Sequence, residues 1–549
     1  MKKILWIMAA LLIVLTISVF YKEPPEQAAI NIDAERLTQN LRILASDEFE
    51  GRAPATIGEE KTINFLKQEF EKIGLKPGNG DSFFQSANMV EVTLSPGAVM
   101  TIATPDGDRE LEYGPGFMGW TKRVVEAQSV TNSEMIFVGY GIVAPEYDWN
   151  DYDGLDVRGK TVVVMVNDPG YATQDPALFT GNAMTYYGRW TYKYEEAARQ
   201  GAEAVIVIHE TAPASYPWEV VSGSWAGPQI GLESVDGNMS RVAVESWMPG
   251  HEMAKIFADA GLDYQALTAA AATKEFKAVS LKANMSVDLI NKIRRVVSNN
   301  VVAILPGTDR ADEFIIHMSH WDHMGKDISL EGDQIYNGAA DNASGTAGLI
   351  ELANAYMSGA QKPRRSIMFM AVTAEEQGLL GSAYYGANPI VPLNKTVAAL
   401  NMDVLAYHGP THDVTIIGYG NSALDDYVDQ AVAKQKRIAN PDPKPERGTF
   451  YRSDHFSLAK QGVPALYFSP GVNSVKHGRQ WLMDKKADYT ANRYHKPGDE
   501  YSEDWDMTGA VQDLELIYKI GLQLSQEDSF PNWREGNEFK AKRDAMMKQ

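Results

Sequence analysis

The segment from Phe314 to Gly378 constrains this chain more than any other, because its apolar runs stop abruptly at acids and histidines. Phe314-Ile-Ile-His-Met318 reads as a buried strand leading into His320-Trp-Asp322-His323, and Ser366-Ile-Met-Phe-Met-Ala-Val372 as a second leading into Glu375-Glu376. Between them, Gly338-Ala-Ala-Asp341-Asn342-Ala-Ser344-Gly345 predicts a helix start capped within Asn342-Ala-Ser344, with Asp341 at its electropositive end. Open α/β sheets place their sites outside the carboxyl ends of strands, which is where these side chains fall.

The rest of the chain fits that frame. Further strands are expected at 397–401, 414–417 and 465–468, with helices at 424–434 and 508–524. The fold class expected is α/β, a doubly wound mixed sheet flanked by helices. A length of 549 residues exceeds what one core organises, so several domains are expected. The sequence divides into residues 1–22 as a signal peptide or N-terminal anchor, 33–125 with 289–530 as the α/β domain, 126–288 as a β-rich insertion, and 531–549 as a charged, peripheral tail.

Composition then narrows the chemistry. A net charge of −21 repels nucleic acid and anionic membrane, so neither is expected as the main partner. The absence of cysteine excludes disulfides, thiolate ligands, a cysteine nucleophile and a lipid anchor on cysteine. Any metal must therefore be held by His, Asp and Glu. Met1-Lys2-Lys3 ahead of the apolar stretch Ile4 to Phe20 has the grammar of an export signal, so a periplasmic or extracellular location is expected; residues 4–20 could also serve as an uncleaved membrane tether.

Zinc accepts imidazole nitrogen and carboxylate oxygen, and a two-zinc site with a shared carboxylate needs about five ligands. The chain offers His320, Asp341, Glu376, Asp403 in Asn401-Met-Asp403, and His495 in Tyr494-His495-Lys-Pro-Gly498-Asp499. Glu375, diverging from Glu376, is free to act as a general base, and Asp322 to orient His320. Taken singly, each has a bland reading: a structural histidine, a solvated acidic turn, a helix cap. Jointly they all fall at strand ends or adjoining loops, which the bland readings do not require.

These blocks, in this order, resemble the dizinc exopeptidases of metallopeptidase family twenty-eight, which includes leucyl-type aminopeptidases, glutamate carboxypeptidase and the transferrin receptor. Leu44-Ala-Ser-Asp47-Glu-Phe-Glu-Gly51-Arg52 is similar to the family's N-terminal signature, and Phe137-Val-Gly139-Tyr140-Gly141 with Gly159-Lys160 resembles a protease-associated (PA) domain. The resemblance implies two Zn2+ per chain: Asp341 bridging, His320 and Asp403 on one ion, Glu376 and His495 on the other. It also implies peptide substrates, Glu375 as the base acting on a zinc-bridging hydroxide, and Tyr451 as a stabiliser of the oxyanion. His317, His323 and His477 receive no role. The function implied is removal of N-terminal residues; a carboxypeptidase for acidic C-termini, which requires converging arginines among Arg447, Arg452 and Arg479, and a non-enzymatic receptor stay open. Oligomeric state is not legible.

Overall fold

Successive side chains of a strand point to opposite faces, so a strand that is apolar throughout must be covered on both sides. In the computed structural model, which describes residues 30–548, Arg310–His320 is buried from Ile315 onward, and Arg365–Val372 and Thr396–Met402 are buried throughout. The three lie parallel with Arg310–His320 in the middle: Ile316 pairs with Met368 on one side and Ala399 on the other. Ala465–Ser469 continues the sheet in parallel, Asp413–Ile417 joins it antiparallel, and Val279–Leu305 runs antiparallel to Arg365–Val372. The sheet is mixed, as the sequence led us to expect. The apolar stretch at residues 4–20 lies outside the described residues, among which no helix is long and apolar enough to cross a membrane.

Both faces are covered. Ile315, Phe369 and Leu400 pack beneath helices Ala34–Leu44, Ile57–Ile73, Gly345–Ser358 and Thr508–Gln526, whereas Ile316, Met318 and Met368 pack against Tyr385 and Leu458 on the other face. Each fully buried aliphatic side chain contributes about 1.5–3 kcal/mol. Local chemistry fixes the helix ends: the Asp33 carboxylate accepts from the Glu35 and Arg36 amides, and Gly74, at φ 93°, ends Ile57–Ile73 in the left-handed conformation that suits glycine.

Two expected boundaries are corrected by the structure. Val279–Leu305 is one continuous strand: residues 279–290 pair with Ala127–Phe137, in a second sheet, and residues 291–305 with Phe84–Leu94 and Arg365–Val372 in the first. A boundary at 288/289 therefore cuts a strand that contains neither glycine nor proline to signal a break. Val99–Thr104 and Met118–Trp120, expected in the α/β domain, pair in the second sheet, while Pro228–Leu232 leaves the insertion to extend the first. The region 531–549 is not peripheral either. Trp533, Phe539 and Arg543 are buried, and the Trp533 indole donates to the Gly462 carbonyl at 2.9 Å. The surrounding charges masked two aromatic anchors.

Candidate metal centre

Three parallel strands bring their carboxyl ends to one edge, and the acids that follow them converge there. His320 is the last residue of its strand; its Nε2 lies 3.3 Å from Asp341 Oδ1 and 3.4 Å from Asp403 Oδ1. Across Asp341, the other oxygen faces His495 Nε2 at 3.4 Å, and that nitrogen is 3.0 Å from Glu376 Oε2. Two donor triads result, His320/Asp341/Asp403 and His323/Asp341/Glu376, and they share Asp341. Ligands about 2.0–2.1 Å from a tetrahedral zinc ion stand about 3.3 Å from one another, so the observed separations are those of a zinc coordination edge. The donor set fits zinc, and Asp341 is placed with one oxygen toward each triad.

The surroundings hold these donors in place. Asp499 accepts from the Ala340 and Asp341 amides at 3.1 and 3.0 Å, which fixes the turn carrying Asp341. Asn342 ties that turn to two strand ends: its amide group donates to Ser319 Oγ and the Met402 carbonyl, and its carbonyl oxygen accepts from Gly345 N and Val404 N. Asn342 Oδ1 thus holds the first amide of helix Gly345–Ser358 from within the segment expected, while Ser344, the N-cap residue, makes no capping bond with its side chain. Ser453 Oγ donates to Asp403 Oδ2 at 2.8 Å. Buried Arg52 donates to the carbonyls of Leu44, Trp321, Asn337 and Gly338, clamping the loops beside His320 and Asp341. At Gly338 a Cβ would sit 2.5 Å from the His323 ring and 2.3 Å from the Asp341 carbonyl oxygen, so only glycine fits.

Electrostatically the centre is rich in carboxylate and short of cations. Burial alone would lower the His320 pKa, but Glu375, Asp341 and Asp403 hold it well above the usual imidazole range. Burial, with Glu376, Asp403 and Asp454 adding like charge, pushes the Glu375 carboxyl well up against the pull of His320. A pair of bound dications would offset that negative field. Asp322 meets His320 as expected, but through its backbone carbonyl, and its carboxylate has a second task. Its carboxylate accepts from the Glu375 and Glu376 amides at 3.0 and 3.3 Å, while the nearest acceptor to His320 Nδ1 is the Asp322 backbone carbonyl at 3.2 Å and its carboxylate is 3.8 Å away. Asp322 therefore positions both the His320 ring and the Glu375-Glu376 turn.

Tyr451 does not present a free hydroxyl to the centre. Its hydroxyl donates to Glu538 at 2.8 Å, and its ring packs edge-on against Phe456. Glu538 lies in the C-terminal region that the sequence reading set aside, so this engagement was not legible. Tyr451→Phe is expected to change kcat by less than about 3-fold while destabilising the fold by about 1–3 kcal/mol. A loss of about 10²–10³ in kcat would instead mark an oxyanion donor.

His323 is the residue that sequence reasoning missed. Fully buried, it places Nδ1 2.6 Å from Glu376 Oε1, and its ring meets that of His495 at 5.8 Å. Its place in His320-Trp-Asp322-His323 was the available signal. His317 instead bonds Tyr356 inside the core, and His477 stacks on Trp481. Asp454 and His455 are buried outside both triads. The centre opens into a cavity of about 1020 Å³ whose walls include Glu375, Trp190, Arg447, Arg452 and Tyr494; Arg479 is not among them.

Residues 300–518 match the model of Peptidase family M28. The chain is 31% identical to the Aminopeptidase NAALADL1 of Mus musculus over 132 residues, which cover 23% of this chain and 16% of that protein. It is 26% identical to the probable leucine aminopeptidase 2 of Aspergillus oryzae over 450 residues, covering 80% and 73%. The solved aminopeptidase from Aneurinibacillus sp. strain AM-1 is 19% identical with a TM-score of 0.48, over 90% of this chain and 94% of that one. In each of the first three curated relatives, the match spans less than half of the relative's length. The stretch similar to Peptidase family M28, residues 300–518, carries every donor of both triads.

Proposed function

We propose that this protein is a zinc-dependent exopeptidase that removes N-terminal residues from peptides and holds two zinc ions. The observation that carries the reading is the pair of donor triads sharing Asp341, at the base of a cavity that also exposes Glu375. Zinc held by these donors supplies Lewis acidity to a scissile carbonyl oxygen and lowers the pKa of a water molecule. Glu375 takes the proton from the attacking water, and the same carboxyl delivers it to the amine nitrogen as the C–N bond breaks. Burial and neighbouring carboxylates, which raise the proton affinity of Glu375, suit a group that stores that proton between the two events. Asp322, by binding the Glu375 amide, keeps the base on the cavity wall. Export and a PA-like role for the insertion are part of the same proposal, resting on the sequence at residues 4–20 and on Phe137 to Gly141.

The test is metal content per chain together with p-nitroaniline release from a panel of aminoacyl substrates and their N-acetylated forms. Two zinc ions with turnover confined to free amines is the expected result. Two zinc ions with turnover only of blocked or C-terminal substrates would replace the aminopeptidase reading with the carboxypeptidase one. Metal-free protein without turnover would leave a binding role for the fold.

A further inference from the structure

A strand at the edge of a sheet carries a row of N–H and C=O groups without a partner, and folded chains guard such rows with charge, proline or cover. Two edges here follow that rule. Gly107–Glu112, paired with Val99–Thr104, carries Asp108, Arg109, Glu110 and Glu112, and Ile438–Pro441, paired with Asp413–Ile417, ends in proline. Pro228-Gln-Ile-Gly-Leu232 is an edge without any charge. It pairs with Phe84–Leu94 on one side, and among the described residues no strand lies on the other.

The register fixes which groups are free. Gln229 lies opposite Val92 and Gly231 opposite Val90, and one pair further on the Glu233 amide donates to the Asn88 carbonyl. Every second pair of an antiparallel ladder exchanges its bonds, so Gln229, Gly231 and Glu233 face Phe84–Leu94, while Pro228, Ile230 and Leu232 turn their main-chain groups outward. Pro228 has no N–H, and the Leu232 carbonyl already accepts from Asn238 Nδ2 at 3.0 Å. Of the three, Ile230 alone keeps both an N–H and a C=O free of partners among the described residues.

This edge opens onto the metal centre. Gln229, Ile230, Gly231 and Leu232 line the cavity of about 1020 Å³ that also contains Asp341, Glu375 and Asp403. Ile230 and Leu232 pack against Ala374 and Leu380, which stand on either side of the Glu375-Glu376 turn. We propose that the free edge at Ile230 receives the extended main chain of the peptide substrate beyond the scissile bond, as one further strand. A peptide backbone supplies the complementary donor and acceptor whatever its side chains, so this contact selects for chain length and not for sequence. The proposal rests on the exopeptidase reading and narrows its substrates to peptides long enough to reach the edge. It gives the insertion, which supplies Pro228–Leu232, a direct part in binding them.

The experiment compares leucyl-p-nitroanilide, which has no main chain beyond the scissile bond, with leucyl-tetraalanine on the full-length, zinc-loaded protein. Three further peptides carry a single N-methyl group on the third, fourth or fifth residue. In wild type, one of the three is expected to lose about 5-fold or more in kcat/KM, chiefly through KM, because its methyl group removes the donor to the Ile230 carbonyl. Ile230→Pro deletes an N–H that points away from Phe84–Leu94, a position where an edge strand accepts proline. It is expected to raise KM for leucyl-tetraalanine by about 5-fold or more and to leave leucyl-p-nitroanilide within about 2-fold. Ile230→Ala, which keeps the N–H and loses the side chain, is expected to stay within about 2-fold on both. If the proline variant does not fold, the methylated peptides on wild type decide alone. Equal cleavage of all three methylated peptides, or the same KM in the proline and alanine variants, overturns the proposal while turnover of leucyl-p-nitroanilide leaves the exopeptidase reading standing. A wild-type dimer that dissociates in Ile230→Pro, seen by light scattering, assigns the edge to a second copy of the chain and also overturns it. No turnover of either substrate by wild type ends the exopeptidase reading, and the proposal with it.

Discussion

Glu375→Gln is expected to lower kcat by about 10²–10⁴, equivalent to about 3–5 kcal/mol of activation free energy, while leaving the metal content of the protein unchanged. The reason is a division of labour between neighbours. The carboxylate of Glu376 stands within 2.6–3.0 Å of His323 and His495 and belongs to a donor triad, whereas that of Glu375 belongs to neither triad and lines the cavity. The substitution preserves shape, and the bond from the residue-375 amide to Asp322 does not involve the side chain. KM is therefore expected to move little. Kinetics on a free-amine substrate, paired with metal analysis of the same preparation, checks this. If kcat stays within about 3-fold of wild type, the base lies elsewhere, and the structure names the next candidate: Asp454, a buried carboxyl pushed up to about 7 by its surroundings. Loss of zinc along with activity would make Glu375 a ligand instead.

How far the sequence led can be judged from particular residues. His320, Asp403 and Glu376 were legible as candidates because each ends or follows a contiguous apolar run whose end is visible, and Asp341 because a helix start follows it. The alternating helices and strands gave the mixed sheet for the same reason. Side-chain direction was less accessible: His323 shares a tetrad with His320, but nothing in spacing says that its Nδ1 reaches Glu376. Contacts across long separations were closed to pattern reading. Tyr451 meets Glu538, and Arg52 holds the carbonyls of Asn337 and Gly338, each pairing being a property of the folded topology. The domain boundary failed on a different ground. Val279–Leu305 alternates in burial through most of its length, so one uninterrupted strand serves two sheets where punctuation was expected.

Asp341→Asn carries the largest expected effect on metal binding, because it acts on both triads at once. One oxygen of Asp341 faces His320 at 3.3 Å and the other faces His495 at 3.4 Å, while Asp499 holds the backbone so that neither can turn away. An amide offers one oxygen acceptor and no charge, so it cannot serve both positions. The variant is expected to retain fewer than two zinc ions at stoichiometric loading and to lose activity by at least about 10³-fold, the scale on which removal of one essential element of a cooperating group is felt. Stability provides an independent reading. Metal that binds only the folded wild type stabilises it by about 4 kcal/mol at free zinc 1,000 times the Kd, so chelation should lower its thermal midpoint, and that shift should shrink or vanish in the variant. The stripped variant should be somewhat less stable than stripped wild type near neutral pH, since His320 and His495 hold the Asp341 carboxyl well below its usual range and the amide gives up that interaction. A variant that keeps two zinc ions and the full chelator shift would show that Asp341 does not bridge, leaving His320 with Asp403 and Glu376 with His323 and His495 as two separate sites.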